Sequence, residues 1–264
     1  MMNSKNRASV ICLSGGLDST SLLMRLLASG DEVYGISFNY GQKHAMELEF
    51  LQRNLNYLAS NDLAINHHSF DMSTLGELFH SALLDADWEV PKGHYEQENM
   101  KETVVPNRNA IFASIAYGLA WSIAQQFPGP VRLCLGVHSG DHAIYPDCRP
   151  SFYKALWAAF EAGNWDADRV ELYLPYLEVD KADILRDAEN SIAGLGLDFE
   201  TVFANTLTSY QPDSSGRSHG LTGSDVERVL AFDAIGRIDP IEYIDGWEKT
   251  LQRAKAMPEP SDSE

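Results

Sequence analysis

The chain has 264 residues, of which 44% are hydrophobic and 22% charged, a balance that fits one α/β unit with insertions. Twenty Lys and Arg stand against 38 Asp and Glu, and the formal charge of −18 repels phosphate backbones and argues against tRNA or DNA as the substrate. No apolar run reaches the roughly 20 residues of a membrane span, the polar start Met1 to Arg7 is unlike a signal peptide, and Cys12, Cys134 and Cys148 form no C-x-x-C pair, so a reducing, cytoplasmic home without disulfides is expected.

In chain order, the apolar run 8–13 suits a buried parallel strand. A helix follows from about Asp18 to Ser29, with Leu22, Leu23, Leu26 and Leu27 on one face and Gly30 as its stop. Residues 32–38 read as a second strand, 43–59 as a helix and 63–70 as a third strand, which makes βαβαβ, half of a doubly wound sheet. Further on come a helix at 109–125, a strand at 131–137, a helix at 150–162, a short strand at 170–174 and a helix at 180–190. The fold class is α/β, a doubly wound parallel sheet of Rossmann-like type with a helical C-terminal part. A single domain is expected over 1–256, with irregular loops near 84–104 and 205–225 and a disordered tail over 257–264.

The first strand-to-helix turn is Ser14-Gly15-Gly16-Leu17-Asp18-Ser19-Thr20. Two glycines allow close backbone approach, the serines add hydroxyl donors, and the helix directs its unpaired N–H groups and positive end at the same space. That is an anion site at the carboxyl end of the first parallel strand. The spacing is neither G-x-x-x-x-G-K-[ST] nor G-x-G-x-x-G. The plain alternative is a Ser/Gly turn with Asp18 as N-cap.

This loop resembles the signature of the PP-loop ATP pyrophosphatases, which hold the pyrophosphate of ATP while a substrate oxygen is adenylated. Four more segments resemble the 7-cyano-7-deazaguanine synthases of that family: Asn39-Tyr40-Gly41-Gln42-Lys43-His44, Val105-Pro106-Asn107-Arg108-Asn109, Gly136-Val137-His138-Ser139-Gly140-Asp141 and Tyr145-Pro146-Asp147-Cys148-Arg149-Pro150. Asp180-Lys181-Ala182-Asp183-Ile184 resembles a later helix start. The resemblance spans about residue 8 to Asp239 and implies an adenine nucleotide α-hydrolase type of fold, with ATP and Mg2+ as cofactors and a homodimer as the expected assembly.

On that basis Asp18, Arg108, Asp147 and Arg149 are the candidate catalytic residues. Arg108 and Arg149 carry planar forks suited to phosphate or carboxylate, with a local ion pair as the alternative. Asp147 suits the N–H groups of a guanine-like ring. Asp18 and Asp141 are candidate Mg2+ ligands. Tyr40, Gln42, His44, Asn109, His138, Asp141, Tyr145 and Cys148 are candidate substrate contacts; for His44 and His138 an ordinary surface histidine is the alternative. Cys148 beside Arg149 suits either a nucleophile or a packing residue, and packing is preferred.

The synthases carry a structural zinc site, one cysteine preceding a C-G-x-C-x-x-C cluster. The matching positions here are Ser209, His219, Thr222 and Asp225, of which only His219 and Asp225 are ordinary zinc ligands, so no zinc is expected. The resemblance implies adenylation of 7-carboxy-7-deazaguanine followed by amide formation. The missing cysteines favour a variant that joins the deazaguanine to a protein amine, since relatives of the synthases are linked to antiphage (CBASS-type) operons and an open 205–225 loop would admit a polypeptide acceptor. The alternative is the ammonia-using synthase that makes the nitrile. A PP-loop enzyme acting on tRNA, opposed by the charge, and a nucleotide-binding partner without catalysis are the remaining readings.

Overall fold

The computed structural model describes residues 6–85, 87–92, 98–142 and 145–257, excepting the side chains of Glu98, Asn99 and Asp141. Five strands, β1 (Ala8–Cys12), β2 (Glu32–Asn39), β3 (Asn66–Asp71), β4 (Val131–Cys134) and β5 (Val170–Tyr173), form one parallel sheet in the order β3-β2-β1-β4-β5. The helices are α1 (Leu17–Ala28), α2 (Glu47–Ser60), α3 (Ser73–Gly76), α4 (Arg108–Ala124), α5 (Pro150–Gly163), α6 (Lys181–Gly194), α7 (Phe199–Ala204), α8 (Gly223–Ala234) and α9 (Trp247–Ala256). This is the doubly wound α/β fold expected from the sequence, with α6 to α9 as its helical C-terminal part.

The central strand is covered on both faces and apolar but for Ser9, whose hydroxyl donates to Asp31 Oδ2 at 2.6 Å. Ile11 and Leu13 join a core built with α1, α2, α6, α7 and α8. Ala8 and Val10 face the opposite core, where α4 contributes Ala113, Ala116, Tyr117 and Ala120. Cys134 is buried in the first of these cores, while Cys12, partly buried, packs on the second and lines the cleft; burial pushes both thiols up to about 12.

Chain order runs outward from β1 to β3, then crosses back to place β4 on the other side of β1. At that reversal the connections leave to opposite faces and a crevice opens at the carboxyl ends of β1 and β4. Gly136, just past β4, lies against the first turn of α1: a Cβ there would sit 3.2 Å from the Asp18 carbonyl carbon and oxygen.

Several boundaries differ from expectation. α2 begins at Glu47, because residues 42–47 wind as tight i→i+3 turns, with Ala45 N donating to Gln42 O at 3.1 Å and Glu47 N to His44 O at 2.9 Å. β3 begins at Asn66; Leu63 and Ile65 pack on the core before the strand pairs. The 84–104 stretch contains a 3-10 segment, Glu98–Thr103, while residues 86 and 93–97 lie outside the described residues. The tail is described only to Met257, so the expectation for 258–264 also lies outside them. Among the described residues no helix is long and apolar enough to cross a membrane.

The 205–225 segment is irregular, as expected, with several of its residues packed inside and others, among them Gln211, Ser215 and His219, exposed. Thr206, Leu207, Ser209, Ser218, Thr222 and Asp225 are buried. Arg228 on α8, fully buried, donates Nε and Nη2 to Asp239 at 2.7 and 2.9 Å. Its Nη1 reaches Thr206 and Thr208 at 2.8 and 2.9 Å. One guanidinium therefore ties α8, the segment before it and the chain beyond it into a single unit.

Candidate active site

At the end of β1 the loop turns at Gly15, whose φ of +91° is in the left-handed region. A Cβ there would also overlap the Glu47 carbonyl oxygen, so the start of α2 rests directly on the loop. The N-cap of α1 is Gly16, and Asp18 lies in the first turn instead of capping it. Gly16 N donates to Ser14 Oγ at 3.1 Å, and Ser14 and Ser19 hydroxyls meet at 3.1 Å. Gly15 O accepts Leu207 N at 3.0 Å, which fastens the 205–222 segment to the loop's back.

A cleft of about 240 Å³ opens over this loop. One end is lined by Ser14, Gly16, Asp18, Ser19, His138 and Lys181. Lys181, the first residue of α6, is buried, with Nζ 2.7 Å from Glu227 Oε2 and 3.5 Å from Asp18 Oδ2. His138 accepts Gly140 N at Nδ1, which leaves Nε2 to carry the proton, 3.8 Å from Asp18 Oδ2. Among the described residues Asp18 Oδ1 is a buried oxygen with no hydrogen-bond partner. An orphaned hard oxygen beside a phosphate loop fits Mg2+. The side chain of Asp141, the second candidate ligand, lies outside the described residues.

The other end is lined by Tyr40, His44, Glu47, Arg108, Asn109 and Tyr210, with Phe38 and Phe112 stacked at 4.2 Å between centroids. Arg108 is half-buried and makes two long hydrogen bonds, Nη1 to Tyr40 Oη at 3.3 Å and Nε to Asn109 Oδ1 at 3.4 Å. No described carboxylate pairs with it. Burial pushes the Glu47 carboxyl up to about 8, against the opposing pulls of the Gln42 hydrogen bond and the Arg108 charge. Burial, reinforced by Arg108, holds His44 down at about 3, so its ring is neutral.

The structure thus gathers Ser14, Gly16, Leu17, Asp18, Ser19, Tyr40, His44, Asn109, Arg108, His138, Tyr145 and Cys148 around one cleft. Other candidates lie behind it or beside it. Gly15 shapes the loop from its back, and Thr20 is buried in α1. Gln42 is buried beneath Tyr40, whose N donates to Gln42 Oε1 at 2.9 Å. Asp147 accepts Asn109 N at 3.4 Å, and Arg149, exposed, donates Nε to His142 O at 2.8 Å. Cys148 is buried and takes a hydrogen bond from Asn109 Nδ2 at 3.3 Å, as a packing residue would. Sequence reasoning passed over Glu47, Lys181, Tyr210 and Glu227. The first two carry a signal: Glu47 follows His44 by three residues, and Lys181 stands in the segment read only as a helix start. Tyr210 and Glu227 have none, since only tertiary packing brings them to the cleft.

At the positions matching the zinc cysteines, Asp225 accepts Ser209 Oγ at 3.2 Å, Thr222 Oγ1 at 2.6 Å and Thr222 N at 3.1 Å on Oδ2, and Ser218 Oγ at 2.7 Å on Oδ1. His219 is exposed, and its neighbour Ser218 occupies the cluster instead. Three hydroxyls donating to one carboxylate do not fit structural zinc, which takes four ligands, mostly thiolates and imidazoles, aimed at a common centre.

Comparison with known proteins places these features in one lineage. Residues 8–236 match the profile of the family described as queuosine biosynthesis protein QueC. A 7-cyano-7-deazaguanine synthase 1 from Colwellia psychrerythraea is 41% identical over 234 residues, covering 89% of this chain and 97% of the relative. A 7-cyano-7-deazaguanine synthase from Methanoregula boonei is 43% identical over 234 residues, covering 89% and 98%. Among solved structures, NMN synthetase from Francisella tularensis aligns over 99% of this chain and 92% of its own at 12% identity and a TM-score of 0.39. With the match running from β1 through α8 and the loop, cleft and C-terminal helices in place, the chain belongs to the QueC family.

Proposed function

We propose that this chain uses ATP to adenylate the carboxylate of 7-carboxy-7-deazaguanine and transfers the acyl group to ammonia, then dehydrates the amide to the nitrile with a second ATP, as a 7-cyano-7-deazaguanine synthase. The observation that carries this reading is Arg108: a half-buried cation with no carboxylate partner among the described residues, across one cleft from an intact phosphate loop. The cleft offers two anion sites, one for pyrophosphate and one for a carboxylate or the α-phosphate it attacks.

The Gly16 N–H, the Ser14 and Ser19 hydroxyls and the positive end of α1 take the pyrophosphate. Lys181 offsets charge as it builds on the leaving group, held in place by Glu227. Asp18, through Oδ1, would hold Mg2+, which would supply charge neutralisation at the phosphates. Phe112 and Tyr40 offer flat faces to a purine-like ring. Catalysis is then mainly positioning and charge neutralisation.

The relatives, all synthases of the nitrile, support ammonia over a protein amine as acceptor. The donor set around Asp225 supports a zinc-free protein. The deciding experiment is mass spectrometry of a reaction with ATP, Mg2+, 7-carboxy-7-deazaguanine and ammonia. The free nitrile is expected. A deazaguanine adduct on an added protein, without nitrile, would replace this reading with the conjugating one, and absence of pyrophosphate release would exclude both.

A further inference from the structure

We propose that Glu47 is the catalytic base that takes the proton from the attacking amine in the acyl-transfer step, an assignment that rests on the deazaguanine-activating reading above. Glu47 opens α2 on the cleft wall, beside the phosphate loop and on the same cleft as Arg108. Its carboxyl is buried, and Oε1 accepts Gln42 Nε2 at 3.1 Å. Gln42 is itself fixed, donating to Phe38 O at 3.3 Å and accepting Tyr40 N at 2.9 Å. Among the described residues Oε2 has no hydrogen-bond partner. One oxygen is anchored and the other is available, the arrangement a proton acceptor needs.

The groups facing this carboxyl do not compete for the role. His44 Nε2 lies 3.6 Å from Oε1, but its ring is held neutral far below the range in which it could accept a proton. Arg108 on α4 is a fixed cation, and Tyr40, just past the end of β2, is pushed upward by burial. Tyr210, on the 205–222 segment, packs against His44 with centroids 5.2 Å apart. A carboxyl raised to about 8 is a stronger base than an ordinary glutamate and still ionises near neutral pH.

In the step, the amine nitrogen adds to the acyl carbon and the C–N bond forms. The C–O bond to the adenylate breaks and AMP leaves with that electron pair. The surplus N–H proton passes to Glu47 Oε2 and from there to solvent, so atoms and charge balance.

The two half-reactions separate this role from a structural one. For Glu47→Gln, amide formation from ammonia should fall about 10²–10⁴-fold, and this loss should exceed any loss in carboxylate-dependent ATP–pyrophosphate exchange by at least about 100-fold. The limb that Glu47 adds to the pH profile for amide formation, expected at about 8, should vanish, leaving only the rise of the free-ammonia fraction. Hydroxylamine, a free base at neutral pH, should restore transfer to within about tenfold. If Glu47→Gln fails to fold, Glu47→Asp, with its carboxyl drawn back, must show the same split between the half-reactions. Equal loss in both half-reactions, or wild-type transfer with an unchanged pH limb, overturns the assignment alone. Absence of exchange in the wild type overturns the functional reading, and the assignment with it.

Discussion

At Arg108 the cost of burying a cation is met by two long hydrogen bonds and no described carboxylate. Such a group is stabilised when an anion arrives, and its planar fork favours a carboxylate or phosphate edge. Arg108→Met should raise the KM for 7-carboxy-7-deazaguanine by about 10- to 100-fold, the loss of roughly 1.5–3 kcal/mol expected for a charged hydrogen bond. Steady-state kinetics should show no rescue in Arg108→Lys, because an ammonium cannot present the fork. Glu47 and His44, next door, also leave a mark on stability. The Glu47 pKa is higher in the folded protein than in the unfolded chain, so between its ordinary value of 4.5 and about 8 the folded state holds the extra proton and stability falls as pH rises. The His44 pKa is lower when folded, so between about 3 and 6.5 the unfolded chain holds the extra proton and stability falls as pH drops. Thermal unfolding across pH 4 to 9 should show Glu47→Gln losing the alkaline decline and His44→Asn losing part of the acid decline.

The C-terminal elements pose the question of what replaces a metal clip. Thr222 caps α8, and Asp225, three residues on, gathers the Ser209, Ser218 and Thr222 hydroxyls in the interior. These bonds are charge-assisted and buried, which makes them individually strong and costly to leave half-made. Asp225→Ala orphans three hydroxyls and one backbone N–H and should cost about 3 kcal/mol, or roughly 6–12 °C in unfolding temperature for a chain of this size. Prolonged EDTA treatment should leave the unfolding temperature of the intact protein unchanged, and elemental analysis should find no stoichiometric zinc. This device was only half legible in the sequence. The lost thiolates were visible at Ser209, Thr222 and Asp225, but His219 looked like a surviving ligand, because a motif fixes spacing and not which neighbour turns inward. The strands and helices that build the crevice were legible because β1 is apolar at every position but Ser9 and α1 carries a clear stripe. The start of α2 was not, since tight turns over 42–47 satisfy the same periodicity as a helix.

For the molecule as a whole, the charge of −18 and the chemistry of the cleft pull in opposite directions. On the proposed function both substrates, ATP and a carboxylated deazaguanine, are anions and must approach a surface that repels them at long range. Inside, Arg108, Lys181 and the positive end of α1 attract them, but those charges act over a short distance and Lys181 is already paired with Glu227 and Asp18. The balance is set by screening, because the Debye length falls from about 30 Å at 0.01 M salt to about 10 Å at 0.1 M. Long-range repulsion is removed first, while contacts within the cleft are screened far less. Raising salt from about 10 to about 100 mM at fixed free Mg2+ should therefore increase kcat/KM for ATP, by roughly two- to fivefold, with kcat unchanged. A fall in kcat/KM over that range would mean that the cleft's own field reaches beyond its rim and steers substrate inward despite the acidic exterior. The same repulsion predicts that an excess of tRNA leaves the ATP-dependent rate untouched, since a polyanion meets the acidic surface along its whole length while a nucleotide has only to cross it once.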